Sequence, residues 1–280
     1  MRSSLESAHL WALGATKVGT PAGQEALEAH LRSRRDGGAK LLVPYVTGGL
    51  PGWTDVLLAF ADAGADAIEV GIPFSDPVMD GPTIQEASQR ALDAGATPRS
   101  ILEELREVDA GVPLVAMTYA NLAHKAGWAR FATDLARAGI TGAILPDLPL
   151  EESQAWEEAA TAAGVATVLL AAPVSPDDRL QRICERSRGF VYGVTVMGVT
   201  GARSGMASTA AALGDRLKAA TDLPVLMGFG VSTADQAVEL SRHADGVIIA
   251  SALMRRFLDG DKPAEVAALV AEVRAALDAS

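Results

Sequence analysis

Three acidic residues stand close together in the stretch IEVGIPFSDPVMDGPTIQ, residues 68–85. Glu69 lies within an apolar run typical of a buried strand, and Asp76 and Asp80 follow in a segment rich in proline and glycine. Carboxylates are rarely buried unless they are paired or take part in chemistry. The pattern therefore favours acid–base catalysis, in which burial tunes the pKa of a carboxylate. The alternative is structural: Glu69 ends a strand and pairs with a lysine.

The rest of the sequence alternates between short apolar runs and amphipathic stretches. The runs are continuously apolar, as strands covered on both faces require, and the stretches between them have helical spacing. Eight strand–helix units in 280 residues predict an α/β protein, a single (β/α)8 TIM barrel. An open doubly wound sheet is the alternative, although no Gly-x-Gly-x-x-Gly motif follows the first strand. The predicted strands are 41–46, 66–71, 112–119, 140–146, 165–171, 189–195, 223–228 and 245–251.

The chain is predicted to consist of an N-terminal extension and one catalytic domain. Residues 1–20 are expected to form an N-terminal helical extension with a mobile tail, and residues 21–280 the catalytic barrel. The first residues lack the apolar core and cleavage site of a secretory signal, and no apolar run has the length of a membrane span. We therefore expect a cytoplasmic protein.

Composition excludes several classes of function. A net charge of -11 and a pI near 4.8 argue against nucleic-acid binding. One cysteine, Cys184, excludes an internal disulfide and every metal motif that needs several cysteines, and it is expected to be a buried helix residue. The expected partners are small molecules or proteins, and no metal site is predicted.

Barrels of this kind carry their active sites at the carboxyl ends of the strands, where Glu69 and Asp80 fall. Aromatic residues fall there too, in a chain with only 5% aromatic residues. This concentration predicts a flat, apolar pocket for an aromatic ligand, unless the tyrosines merely reflect the preference of tyrosine for strands. The aromatic residues are Tyr45, Tyr119 and Tyr192, near the ends of strands 1, 3 and 6, and Phe229 after strand 7.

Three loops follow the last three strands. MGVTGAR (197–203) and MGFGVS (227–232) contain glycine, and IIASAL (248–253) leads into a short helix. Backbone N–H groups in such loops and at a helix start approach anions closely, and barrels often bind phosphate at this place. The loops therefore predict a phosphate site, and with the carboxylates they favour acid–base chemistry on a small phosphorylated aromatic. Schiff-base chemistry is disfavoured because neither Lys40 nor Lys125 lies near a strand end.

Five motifs in order, IEVGIPFSDPVMDGPTIQ, YANL, LPDLPLEES, GVTGAR and GFGVS, resemble the tryptophan synthase α-subunit family, over about residues 24–275. The resemblance implies retro-aldol cleavage of indole-3-glycerol phosphate to indole and glyceraldehyde 3-phosphate, with no cofactor in this subunit. It also implies an α2β2 complex in which a pyridoxal-phosphate-containing β subunit consumes the indole.

The resemblance also assigns roles to single residues. It implies that Glu69 is the general acid–base, that Asp80 contacts the indole nitrogen, and that Thr200 helps to hold the closed loop near Asp80. Asp76 is expected to order the loop through local hydrogen bonds. The four aromatic residues are implied to line the substrate pocket. The implied phosphate positions are Gly201, Gly228, Gly230, Ala250 and Ser251.

Three features depart from the family pattern. Ala250 stands where the family usually has glycine, the first loop, VTGGLPG, lacks an acidic or aromatic residue before its proline, and the N-terminal extension is longer than usual. Two alternatives on this pattern remain: a stand-alone lyase that releases free indole, and a catalytically silent subunit that activates a β partner. A phosphosugar isomerase on the same fold is a further one, since fold does not fix function.

Overall fold

The computed structural model describes residues 23–194, 203–228 and 230–280. The predicted N-terminal extension lies outside these ranges, and so do three predicted site residues, Thr200, Gly201 and Phe229.

Eight parallel strands form a closed barrel in sequence order. The first strand pairs with both the second and the eighth, so the predicted barrel is confirmed and the open-sheet alternative is wrong. Most strand residues are buried because helices cover the outside of the barrel and side chains fill its interior. The strands are β1 Leu41–Thr47, β2 Ile68–Gly71, β3 Leu114–Met117, β4 Ile140–Ile144, β5 Ala166–Ala171, β6 Val191–Val194, β7 Val225–Gly228 and β8 Gly246–Ile249.

The described ranges contain twelve helices, four more than one helix per strand predicts. One precedes β1, and β2, β3 and β8 are each followed by two. The helices are α1 Gly23–Asp36, α2 Trp53–Asp62, α3 Pro82–Asp93, α4 Pro98–Leu105, α5 Ala120–Ala126, α6 Trp128–Arg137, α7 Gln154–Ala163, α8 Asp177–Arg186, α9 Arg203–Ala220, α10 Ala234–Ser241, α11 Ser251–Leu258 and α12 Pro263–Asp278. The buried Cys184 lies in α8, as predicted.

Helix α1 closes the amino-terminal end of the barrel. Its Leu27 is fully buried, and a Cβ added at Gly142 or Gly189 would lie 2.7 Å from the Leu27 Cδ2 atom. Arg34 of the same helix donates to the buried Asp66 carboxylate at 2.6 Å, just before β2. Because this end is filled, a ligand reaches the barrel interior from the carboxyl ends of the strands.

Candidate active site

Glu69 is the second residue of β2, between Tyr45 of β1 and Val115 of β3. Its side chain is 2% exposed, and its Oε2 atom has no hydrogen-bond partner among the described residues. Burial, and secondly the negative charge of Asp80, raise the pKa of Glu69 to about 8. The carboxyl group is therefore mostly protonated at neutral pH. No ion pair of the described residues includes Glu69, so the lysine-pairing alternative has no support.

Asp80 lies at the end of the β2–α3 loop, at the mouth of the barrel. The Tyr119 hydroxyl donates to Asp80 Oδ2 at 3.1 Å. Burial raises the pKa of Asp80 to about 6, although the bond from Tyr119 lowers it. At neutral pH one carboxyl group is therefore mostly neutral and the other mostly ionised, and two such groups take different roles in proton transfer.

The tyrosines at the mouth surround these carboxylates. Tyr45 and Tyr192 are buried within β1 and β6. Burial, and secondly the charges of Asp80 and Glu69, raise the pKa of both. Because β2 and β6 lie on opposite sides of the closed ring, this coupling requires side chains that point into the barrel. Tyr119 lies beyond the end of β3, as the residue before α5.

Two glycines make room for two of these tyrosines. Tyr45 pairs with Glu69, and its ring lies over Gly71, where an added Cβ would come within 2.5 Å of Tyr45 Cζ. Tyr192 lies over Gly228 of β7 in the same way, with an added Cβ 2.5 Å from Tyr192 Cε2. Gly228 was predicted as a phosphate contact. The structure shows a further requirement for glycine at this position, because the Tyr192 ring occupies the space that a side chain would need.

Replacing Gly71 with alanine is expected to destabilise the chain by about 1–3 kcal/mol, because the methyl group overlaps the Tyr45 ring inside a packed barrel. The free energy of unfolding in urea measures this change. Gly81→Ala is the control, since its added Cβ has nothing within 4 Å and its φ is -75°. The control should lie much nearer to the parent chain in stability, because the lower entropy of its unfolded state offsets the loss of a favourable N-cap glycine. Equal stability of both variants would contradict the packing argument.

The loops after β7 and β8 come together because these strands are paired, with Met227 opposite Val247. Gly230 has a φ of 92°, a conformation that favours glycine. Helix α11 begins at Ser251, so its first N–H groups have no carbonyl partner within the helix and can face an anion. Ala250 precedes this helix with a φ of -123°, so the glycine usual in the family is not required by the backbone. The phosphate role of these residues stays a prediction.

Two residues that shape the mouth, Asp147 and Phe74, were not predicted from the sequence. Asp147 follows β4 and accepts a hydrogen bond from the Ala120 N–H at 2.8 Å, at the start of α5. Phe74 stacks on the Tyr119 ring, with centroids 5.1 Å apart. Asp147 stands in the motif LPDLPLEES directly after a predicted strand, a signal that could have found it. Asp76 accepts a hydrogen bond from the Ser75 hydroxyl at 2.6 Å, in line with its predicted local role.

Over residues 23–194, 203–228 and 230–280, no group of three or more His, Cys, Asp or Glu side chains could hold a metal ion. Within the same ranges no helix has both the length and the apolar character needed to cross a membrane.

A closed barrel with a buried carboxyl group, Glu69, and a half-buried one, Asp80, at its open end is typical of β/α-barrel enzymes that use acid–base chemistry. The family model described as tryptophan synthase alpha chain matches residues 31–278. The tryptophan synthase alpha chain of Thermobifida fusca is 45% identical over 240 residues, 83% of this chain and 89% of the relative. That of Picosynechococcus is 43% identical over 253 residues, 88% of this chain and 96% of the relative.

Solved structures agree with the sequence comparisons. A structure of Mycobacterium tuberculosis tryptophan synthase has a TM-score of 0.82 at 40% identity, and covers 90% of this chain and 97% of its own. The tryptophan synthase subunit alpha of Legionella pneumophila has a TM-score of 0.82 at 29% identity, with coverage of 91% and 98%. The chain therefore belongs to the tryptophan synthase alpha chain family, and it is a lyase of the tryptophan synthase type.

Proposed function

We propose that the chain cleaves indole-3-glycerol phosphate to indole and glyceraldehyde 3-phosphate, with Glu69 and Asp80 as the groups that act on the reacting atoms. The observation that carries this proposal is the placement of two carboxyl groups at the mouth of one barrel, Glu69 buried on β2 and Asp80 held by the Tyr119 hydroxyl. Burial raises the pKa of Glu69 to about 8 and that of Asp80 to about 6. The family membership supplies the substrate.

The reaction needs one proton delivered to indole C3 and one removed from the hydroxyl group on the adjacent carbon. Neutral Glu69 gives its proton to C3, and positive charge then develops at the ring nitrogen, where ionised Asp80 stabilises it. The Glu69 carboxylate next takes the hydroxyl proton. The O–H electrons form the aldehyde, and the electrons of the broken carbon–carbon bond return to the ring. Glu69 ends in its starting form, so these proton transfers need no cofactor in this chain.

The remaining predicted residues hold the two ends of the substrate. Apolar aromatic walls suit the indole ring, and backbone N–H groups at the start of α11 and in glycine loops suit the phosphate. We assign the aromatic walls to Tyr45, Tyr119, Tyr192 and Phe229. We assign the phosphate contacts to Gly201, Gly228, Gly230, Ala250 and Ser251, with Thr200 as a contact to the closed loop.

The chain passes its indole to a tryptophan synthase β subunit, which would hold pyridoxal phosphate and consume the indole, in an α2β2 complex in the cytoplasm. Because α1 closes the opposite end of the barrel, indole leaves through the mouth. Apolar side chains stand exposed on the loops there, which suits a protein partner: Val78 is 79% exposed, Met79 48% and Val174 85%. The barrel of residues 21–280 contains all the groups assigned here, and residues 1–20 remain a proposed extension.

Indole formation from indole-3-glycerol phosphate, measured with and without a β subunit, tests this function. We expect slow release by the chain alone and an increase of roughly tenfold or more when the β subunit is added. Equal rates in both conditions would favour a stand-alone lyase. A chain that forms no indole in either condition, yet raises the β reaction, would be a silent activator and would contradict the proposal.

A further inference from the structure

The hydroxyl group of Tyr119 lies between two groups of the β2–α3 loop. The Met79 N–H donates to the Tyr119 hydroxyl oxygen at 3.0 Å, and that hydroxyl donates to Asp80 Oδ2 at 3.1 Å. An N–H group only donates and an ionised carboxylate only accepts. The single proton of the phenol is therefore directed at Asp80.

The Tyr119 side chain has little freedom to leave this position. It is 3% exposed, and its ring stacks on Phe74 of the same loop that carries Asp80. On its other side the backbone is fixed, since Asp147 accepts from the next N–H group, that of Ala120. Tyr119 thus joins the loops that follow three neighbouring strands, β2, β3 and β4.

We propose that Tyr119 is a positioning residue, whose hydroxyl group fixes the β2–α3 loop and orients the Asp80 carboxylate toward the place where charge develops on the substrate. This inference rests on the proposed role of Asp80 and adds to the pocket-lining role of the tyrosine. It assigns the hydroxyl, rather than the ring alone, a part in the reaction.

The charged groups around Asp80 make the hydrogen bond from Tyr119 important for the pKa of this carboxyl group. The ionisable groups that face the Asp80–Tyr119 pair are Glu69 from β2, Tyr45 from β1, Tyr192 from β6 and Asp147 from the loop after β4. All are acidic groups, and none of them supplies a positive charge to the carboxylate. Burial raises the pKa of Asp80, and among the described residues the Tyr119 hydroxyl is the group that lowers it. Loss of the hydroxyl should therefore leave Asp80 protonated at higher pH.

Tyr119→Phe tests the proposal, because it removes the hydroxyl and keeps the ring that stacks on Phe74. We expect the acid limb of the pH profile of kcat/KM to move up by about one unit from its position near pH 6, and kcat/KM at pH 5.5 to fall by roughly tenfold. Near pH 7.5 the loss should be only a few-fold. A tyrosine that only packs would lower the rate equally at every pH, and an unmoved acid limb would overturn the proposal.

A substitution in the opposite direction removes any ambiguity from a poorly folded variant. Tyr119→3-fluorotyrosine keeps the ring and the hydroxyl but makes the phenol a stronger donor. The acid limb should then move to lower pH. A limb that stays in place or moves upward would contradict the assigned role.

A double-mutant cycle shows whether the hydroxyl acts through Asp80. Tyr119→Phe should cause little further loss in an Asp80→Asn background, and an equal loss in both backgrounds would overturn the inference. The proposed role of Asp80 and the proposed role of Tyr119 can be disproved separately. Wild-type turnover in Asp80→Asn alone would remove the proposed role of Asp80, whereas a large loss there with an unmoved acid limb in Tyr119→Phe would remove only the role of the tyrosine.

Discussion

Replacing Glu69 with glutamine is expected to lower kcat for indole formation by at least about 10³-fold, while KM for indole-3-glycerol phosphate changes only a few-fold. Glutamine has nearly the same shape and is neutral, as the buried carboxyl group mostly is at neutral pH, so the fold and the pocket should persist. It can neither donate a proton to indole C3 nor take one from the hydroxyl group. Steady-state indole release at pH 7.5 measures the effect.

The pH dependence of kcat/KM is a second test of the role of Glu69. The pKa of Glu69 is raised to about 8, so its acid form is present below that pH and is lost above it. Wild-type kcat/KM should therefore fall above about pH 8, and the residual activity of Glu69→Gln should lack this alkaline limb. Glu103→Gln on the exposed surface of α4 is the matched control and should retain full activity. Undiminished turnover in Glu69→Gln would exclude the carboxyl group from the chemistry.

The sequence predicted the barrel because its strands are continuously apolar, as burial on both faces requires. This pattern can be read from the order of residue types alone. The sequence did not predict that β2 and β3 are each followed by two helices, since the amphipathic pattern in a βα connection does not show where one helix ends and a second begins. Closure depends on the pairing of Leu41 with Gly246, which lie about 200 residues apart in the sequence. Strand count favours this pairing but does not prove it.

The candidate site also has features that the sequence predicts and features that depend on tertiary contacts. Glu69 was predictable because a charge within an apolar run conflicts with its neighbours, and Asp80 because it follows in the adjoining loop. The need for glycine at position 71 was not predictable, since it arises from the ring of Tyr45 on another strand. The contact of Tyr119 with Asp80 depends on the path of the loop, which propensity does not specify. Residue types thus predict where the candidate site lies, and tertiary contacts determine how its groups are oriented.

The carboxylates are coupled, and this coupling decides what the loss of Asp80 should do. Asp80→Asn is expected to lower kcat/KM at pH 7.5 by about 10²- to 10³-fold, because the amide keeps the size of the side chain but no longer supplies negative charge to the indole nitrogen. The acid limb near pH 6 should disappear with the titrating group. The alkaline limb should move below about pH 8, because the negative charge of Asp80 contributes to the raised pKa of Glu69.

The pH profiles of kcat/KM for Asp80→Asn and for a matched variant decide the point. Asp93→Asn, at the exposed end of α3, makes the same chemical change outside the mouth and should leave both limbs in place. A single variant that abolishes one limb and moves the other would show that the two carboxyl groups titrate as neighbours, as their positions in the barrel require. If Asp80→Asn kept the acid limb, that limb would belong to another group, and the division of roles between an acid on β2 and a counter-charge on its loop would be wrong.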